Sequence, residues 1–169
     1  MRVRYLVSAV AVLVVSGVRA IEAEDIAYPP QAPSFTLTAP ANWKAVFRDD
    51  SLTLLPLPED GFVIQVNQQP AAADELLDNL TERIAAQMEF SQIKLGKDSE
   101  AENQHDVECT MRTSTGVSGG VDVVITVVAF TLEDEKHFTI QSAGPAALNQ
   151  KHKGVLLGLV DSIKPTGED

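Results

Sequence analysis

Hydrophobic and polar residues alternate along this chain in short runs, and this alternation predicts a domain rich in β-strands. A period of two is typical of strands with one buried face. Four such runs come first: FTLTA, WKAVFR, SLTLLPL and FVIQV. The turn sequences Asp49-Asp50 and Glu59-Asp60-Gly61 separate the last three. We therefore expect these four runs to form an antiparallel meander.

Apolar residues recur at helical spacing between Pro70 and Phe90 and again after Gly144-Pro145, which predicts two amphipathic helices. The first stripe consists of Leu76, Leu77, Leu80, Ile84 and Met88. The second consists of Leu148, Val155, Leu156, Leu159 and Ile163, and Lys164-Pro165 ends that helix.

Four further strand-like runs lie between the helices: SQIKLGK, QHDVECTMRTST, VDVVITVVAF and HFTIQ. VDVVITVVAF is apolar at nearly every position, which indicates a strand covered on both faces. Two amphipathic helices can supply that cover. The predicted fold class is α+β, a mainly antiparallel sheet of about six to eight strands with one long helix on each face, an α/β/α sandwich.

Residues 1–20 have the anatomy of a secretory signal peptide, with two arginines, an apolar stretch and a small-residue cleavage site. We expect cleavage after Ala20, with Ala23 as the alternative. Residues 21–33 are acidic and proline-rich, which predicts a flexible leader. A single domain is then expected over residues 34–165, followed by a tail at 166–169. The mature chain is predicted to be periplasmic or secreted.

The charge of the chain limits its partners. The formal charge is −11, and removal of residues 1–20 takes away three arginines and no acidic residue, which leaves −14. Such a surface repels nucleic acid and anionic membranes. We expect neither nucleic-acid binding nor stable membrane insertion of the mature chain.

Cys109 is the only cysteine, so no internal disulfide can form. It shares one side of a predicted strand with Val107 and Met111. We expect it to fill the core as a small apolar residue, although an exported lone thiol could also be reactive or link a dimer.

Gly116 to Gly120 could suggest a phosphate-binding loop. The segment lacks the Gly-Lys-Ser/Thr ending, and a strand follows it where a phosphate loop requires a helix. We expect a hairpin turn.

Two polar clusters could hold a cation weakly, but neither has the ordered oxygen ligands of a calcium loop. They are Glu133, Asp134, Glu135 with His137, and Glu100, Glu102, His105 with Asp106. Solvated turns explain both, so no metal site and no cofactor are predicted.

His152 falls on the apolar stripe of the second helix, four residues from Leu148 and from Leu156. A buried histidine bonded to a carbonyl is the simpler interpretation, and a pocket residue is the alternative.

A hydrolase would need a serine activated by a histidine and an acid. Ser51, Ser114, Ser118 and Ser142 are the candidates. No Gly-x-Ser-x-Gly motif is present, so no catalytic residue is predicted.

The segment FTLTAPANW, the long helix after the fourth strand and the ending DSIKP together resemble the Mog/PsbP-like superfamily, including bacterial DcrB-like exported domains. The resemblance implies an antiparallel sheet between helices, used for protein contacts and not for catalysis. Members include a Ran-binding protein, an extrinsic photosystem II subunit that supports calcium and chloride retention, and chaperones for secreted effectors. These roles use different surfaces, so the resemblance implies no shared site residues. In such a layout the Pro40 corner would set Trp43 over one end of the sheet as an anchor, or alternatively in a cleft.

The expected function is therefore that of an exported, non-catalytic domain that binds another envelope or secreted protein, as a scaffold or chaperone. The alternative is a periplasmic binder of a small molecule or cation in a pocket between sheet and helix. An apolar cavity near Trp43 or His152 would favour this alternative.

Overall fold

A computed structural model describes residues 23–132 and 135–167, without the side chains of residues 73–75. The predicted signal peptide, Glu133 and Asp134 of the first acidic cluster, and the end of the predicted tail lie outside the described residues. No helix among those described is both long and apolar enough to span a membrane.

The described elements are two helices and eleven strands. The helices are α1 (Ala73–Gln87) and α2 (Ala146–Asp161). The strands are β1 (Glu24–Tyr28), β2 (Phe35–Ala39), β3 (Trp43–Arg48), β4 (Ser51–Pro56), β5 (Ile64–Gln69), β6 (Ser91–Lys94), β7 (Asp98–Glu102), β8 (Glu108–Ser118), β9 (Val121–Thr131), β10 (His137–Pro145) and β11 (Lys164–Pro165).

Eight strands form the main antiparallel sheet, in the order β3-β4-β5-β10-β9-β8-β6, with β7 also paired to β8. This sheet confirms the predicted α+β class.

The predicted four-strand meander is wrong in its first member. β2 leaves the main sheet and joins β1 and β11 in a separate three-stranded sheet, so only β3, β4 and β5 form the meander.

The predicted flexible leader is wrong over residues 24–28. These residues form β1, which pairs antiparallel with β2 and buries Ile26 and Tyr28. Tyr28 packs its ring against Phe35 and donates a hydrogen bond to the carbonyl of Asp50. The tail also begins in ordered contact, since the Thr166 amide donates to the Ser34 carbonyl at 3.0 Å.

The two helices cover opposite faces of the main sheet, as predicted. β9 shows this directly, because its side chains alternate between two separate apolar clusters. Ile125, Val127 and Ala129 pack with α1, while Val128 and Phe130 pack in the cluster that contains α2. We call these two sides the α1 face and the α2 face. The small sheet also packs on the α2 face, through Phe35 and Leu37.

The buried side of α1 differs in part from the predicted stripe. Leu77, Leu80 and Ile84 are buried as expected, and Thr81 is buried beside them. Met88 lies beyond the helix end and is 44% exposed. Met88 therefore places an exposed apolar side chain at the end of α1.

The predicted turn over Gly116–Gly120 is shorter than expected. β8 continues through Ser118, and only Gly119 and Gly120 form the hairpin, both with positive φ. Gly116 lies inside the strand, where a Cβ would approach the Ser91 carbonyl oxygen to 2.9 Å. The segment is therefore a hairpin followed by a strand, and no helix amino terminus is present to hold a phosphate.

Candidate functional site

A cleft of about 280 Å³ lies between α2 and the α2 face of the main sheet. The α2 residues that line it are spaced at helical intervals, which puts them on one side of the helix. They are Ala146, Asn149, Gln150, Lys153, Leu156 and Leu157. Phe62, Met111, Thr113, Val124 and Thr126 line the cleft from the sheet side. The lining is mainly apolar, as in small-molecule sites.

The polar groups in this cleft fall into two kinds. The Asn149 side chain is already hydrogen-bonded within the protein. Its Nδ2 donates to the carbonyls of Gly144 and Pro145 at 3.2 and 3.3 Å, and its Oδ1 accepts from Ser142. The Thr113 and Thr126 hydroxyls, by contrast, face each other at 3.4 Å. A pair of hydroxyls at this spacing can reorient toward a bound polar group.

An aromatic cluster borders the cleft and contains both Trp43 and His152. The Phe62 ring stacks on the His152 ring at 4.6 Å, and Trp43 meets both rings edge to face. Trp43 starts β3 after a turn in which its amide donates to the Pro40 carbonyl and Asn42 takes a positive φ. The Trp43 ring is buried and absent from the cleft lining, which agrees with the anchor role.

His152 is buried, but its partner differs from the expected carbonyl. Its Nε2 lies 2.8 Å from Asp60 Oδ2, and Lys151 Nζ donates to the same oxygen at 2.6 Å. The hydrogen bond from Lys151, followed by that from His152, holds the pKa of Asp60 well below its ordinary value. Asp60 therefore connects the turn before β5 to α2.

A second candidate surface lies on the α1 face, where a row of directly paired residues can be followed across seven of the eight strands of the main sheet. Directly paired residues share a face. The row runs Val46, Thr53, Gln65, Gln141, Val127, Arg112 and Asp98. Val127 belongs to the α1 cluster, so the whole row lies on the α1 face.

The β3–β5 end of this face is largely uncovered, because α1 lies over β8 and β9. Val46 and Thr53 are half-buried and Gln65 is exposed. The Gln141 amide donates to Gln65 Oε1 at 3.0 Å, while Gln141 Oε1 is buried and has no hydrogen-bond partner. We call this region, the α1-side positions of β3, β4, β5 and β10, the open face.

A groove of about 310 Å³ separates the open face from the end of α1. Ile84, Gln87 and Met88 line it from the helix side, and Val63, Gln65 and Gln141 from the sheet side. On β4, β5 and β10 the open face carries no Asp, Glu, Lys or Arg among the described residues. Lys44 and Arg48, both exposed, form its outer edge on β3.

At the opposite end of the row, Arg112 forms ion pairs with two aspartates. Its Nε and Nη2 donate to the two carboxylate oxygens of Asp98 at 2.6 and 2.8 Å, and Nη1 donates to Asp78 on α1. These carboxylates raise the pKa of Arg112 and the guanidinium lowers the pKa of Asp98. The ion pairs join α1 to β7 and β8. Sequence reasoning missed them, because the register of β7 against β8 cannot be derived from the chain.

The structure does not bring the candidate serines together with His152. Ser142 bonds Asn149, Ser114 Oγ accepts from the Gly96 amide, and Ser118 lies at the β8 hairpin. Ser51 starts β4. His152 is packed within the aromatic cluster, and neither it nor Asp60 lines the cleft. None of the four serines, which all lie in the described part of the chain, is hydrogen-bonded to His152, so these residues form no triad.

The two polar clusters, which we interpreted as solvated turns, are described only in part, because Glu133 and Asp134 lie outside the described residues. Among the side chains that the structure describes, no three of His, Cys, Asp or Glu are placed to hold a metal ion. Glu100 and Glu102 lie exposed on β7, and His137 Nδ1 is 2.9 Å from the Thr131 hydroxyl. Cys109 is buried, and burial raises the pKa of its thiol to about 11, in line with a core residue.

Comparison with known proteins identifies the fold. No protein-family model matches the sequence, and no curated protein matches it. Among solved structures, cyanobacterial PsbP (CyanoP) from Synechocystis sp. PCC 6803 matches with a TM-score of 0.65 and 11% identity, over 88% of this chain and 95% of that one. The Ran-binding protein Mog1p of Saccharomyces cerevisiae matches with a TM-score of 0.58 and 12% identity, over 86% and 96%. The chain therefore has the Mog1/PsbP-like fold, which confirms the resemblance seen in its sequence.

Proposed function

We propose that this chain is an exported, non-catalytic domain that binds another envelope or secreted protein through the open face. The observation that carries the proposal is the uncharged, partly apolar surface formed by Thr53, Gln65, Gln141 and the neighbouring groove. The chain as a whole has 24 acidic residues, so a sheet surface without them stands apart from the rest of the protein.

The composition of this surface suits a protein partner. Cores of protein interfaces are depleted in charge and enriched in methionine and arginine, with a polar rim. The open face has the exposed Met88 on one side and Arg48 with Lys44 on the other. Its amides and hydroxyls can pair with polar groups of a partner. The cationic edge at β3 favours a partner that is acidic where it meets this edge.

The fold neighbours support a binding role. Mog1p is a Ran-binding protein, and it reaches this role on the same fold. In the His152–Asp60 pair, the arrangement closest to a catalytic one, His152 is buried against aromatic rings and Asp60 is paired with Lys151. Export, which rests on the predicted signal peptide, would place the partner in the periplasm or outside the cell.

The test is affinity capture with the full chain as bait, from envelope extracts of the source cells. We expect one protein to be enriched reproducibly and Gln65→Arg to reduce its capture by more than tenfold, because the arginine crowds and charges the middle of the open face.

Gln68→Arg is the matched control, since Gln68 is exposed on the same strand but faces the other way, paired to Phe138. It should leave capture unchanged. Equal loss with both variants, loss with neither, or capture of nothing reproducible would contradict the proposal.

A further inference from the structure

The cleft beneath α2 differs from the rest of the protein in its charge. Its lining includes one cation, Lys153, and no acidic residue. The whole chain has 24 acidic and 13 basic residues. A mainly apolar cleft with a single cationic group favours a ligand with an apolar body and one negative charge.

Lys153 is available for such a ligand. It is exposed at the mouth of the cleft, and no ion pair joins it to another described residue. Lys151, two residues earlier on the same helix, is instead committed to Asp60 at 2.6 Å. Gln150 lies one turn before Lys153 on the same side of α2, so its amide can support a group held by the ammonium.

The interior of the cleft supplies the apolar contacts. Phe62 and Leu156 are buried and Val124 is half-buried along its wall. The hydroxyls of the exposed Thr113 and the buried Thr126 are the adaptable polar groups of the lining. At about 280 Å³ the cleft is at the lower end of small-molecule sites, which favours a medium-chain ligand over a long-chain lipid.

We infer that this cleft binds a small monocarboxylate with an aliphatic or aromatic body. The carboxylate pairs with Lys153 beside Gln150, and the body lies against Phe62, Val124 and Leu156. This site is on the α2 face, whereas the proposed protein-binding surface is on the α1 face. Either can fail without the other.

The probe is octanoate, titrated into the full chain by calorimetry and by ¹H–¹⁵N NMR. We expect saturable binding, with shifts concentrated at the lining residues of α2 and β9. Octylamine should bind more weakly, because it brings a second positive charge to Lys153. Lys153→Gln should weaken octanoate about fivefold, the effect of a partly exposed ion pair.

Lys164→Gln is the matched control, since it removes the same charge from an exposed lysine just after α2, outside the cleft lining and without an ion pair to another described residue. It should leave octanoate affinity unchanged. Ala146→Leu fills the cleft from α2 and should reduce binding at least tenfold while the protein remains folded by circular dichroism. No saturable binding to the unmodified chain, equal weakening by the two lysine variants, or full binding to folded Ala146→Leu would overturn the inference.

Discussion

His152 Nε2 lies 2.8 Å from Asp60 Oδ2, although 92 positions separate the two residues in the sequence. The contact fixes the turn before β5 against α2, and the Phe62 ring lies stacked on the histidine at the same point. It therefore sets the position of one wall of the cleft.

This contact makes stability depend on pH in a defined direction. The pKa of Asp60 is lowered by Lys151 and then by His152. Its charged form therefore stabilises the fold above the ordinary pKa of 3.8, and the contribution is lost as the pH falls from there toward the depressed pKa. We expect Asp60→Asn to have a lower unfolding free energy than the unmodified chain at neutral pH, and this difference should become smaller in acid. Urea unfolding across the pH range measures the difference, and a difference that does not change with pH would contradict the prediction.

Trp43 gives an optical test of its role as an anchor. As the only tryptophan, it is 7% exposed and packs edge-on against Phe62 and His152. We expect native emission well to the blue of the denatured chain. Trp43→Ala should cost about 3–5 kcal/mol of unfolding free energy, as for a large core truncation. A solvent-like native spectrum would place the ring outside the core.

The periodicity of the sequence was sufficient to predict both helices, the double-sided cover of β9 and the α+β class. It could not predict where β2 pairs. Phe35, Leu37 and Ala39 alternate in the same way for either sheet, and the partners of β2 in the small sheet, β1 and β11, were not predicted as strands. β1 was missed since its acidic, proline-flanked composition outweighed the spacing of Ile26 and Tyr28.

The candidate sites were predicted less completely than the fold. His152 stood out by its place on an apolar helix stripe, but Asp60 was visible only as part of a turn signal. The open face depends on register. No local pattern indicates that Gln65, Gln141 and Thr53 line up, because each lies on a separate strand.

Arg112 should contribute to stability through its geometry as well as its charge. Its guanidinium bonds both oxygens of Asp98 and also reaches Asp78. Arg112→Ala should cost about 1–2 kcal/mol, because both partners remain partly exposed. Arg112→Lys should recover only part of this lost unfolding free energy, since lysine lacks the two-pronged donor geometry.

Arg48 is an exposed arginine on β3, and Arg48→Ala is the control. It should change the unfolding free energy by less than about 0.5 kcal/mol. Chemical denaturation measures both variants. An equal loss of unfolding free energy in Arg112→Ala and Arg48→Ala would contradict a stabilising role for the ion pairs of Arg112.

Cys109 should behave as a buried, protonated thiol. Burial raises its pKa from 9.0 to about 11, so the unfolded chain loses this proton at a lower pH than the folded chain. Its contribution to stability is present below pH 9.0 and is lost as the pH rises toward 11. In Cys109→Ala, this part of the loss of stability at alkaline pH should be absent. A thiol reagent should modify the native protein slowly and the denatured protein at once. Rapid native modification would show that the thiol is accessible.

Contact between the open face and a partner protein can be detected in cells by site-specific photocrosslinking. A photoreactive phenylalanine analogue would be placed at position 65 in one sample and at position 68 of the same strand in another, each in the full chain within the source cells. We expect a discrete crosslinked product at position 65 and none at position 68. Products at position 68 alone, or at neither position, would contradict it.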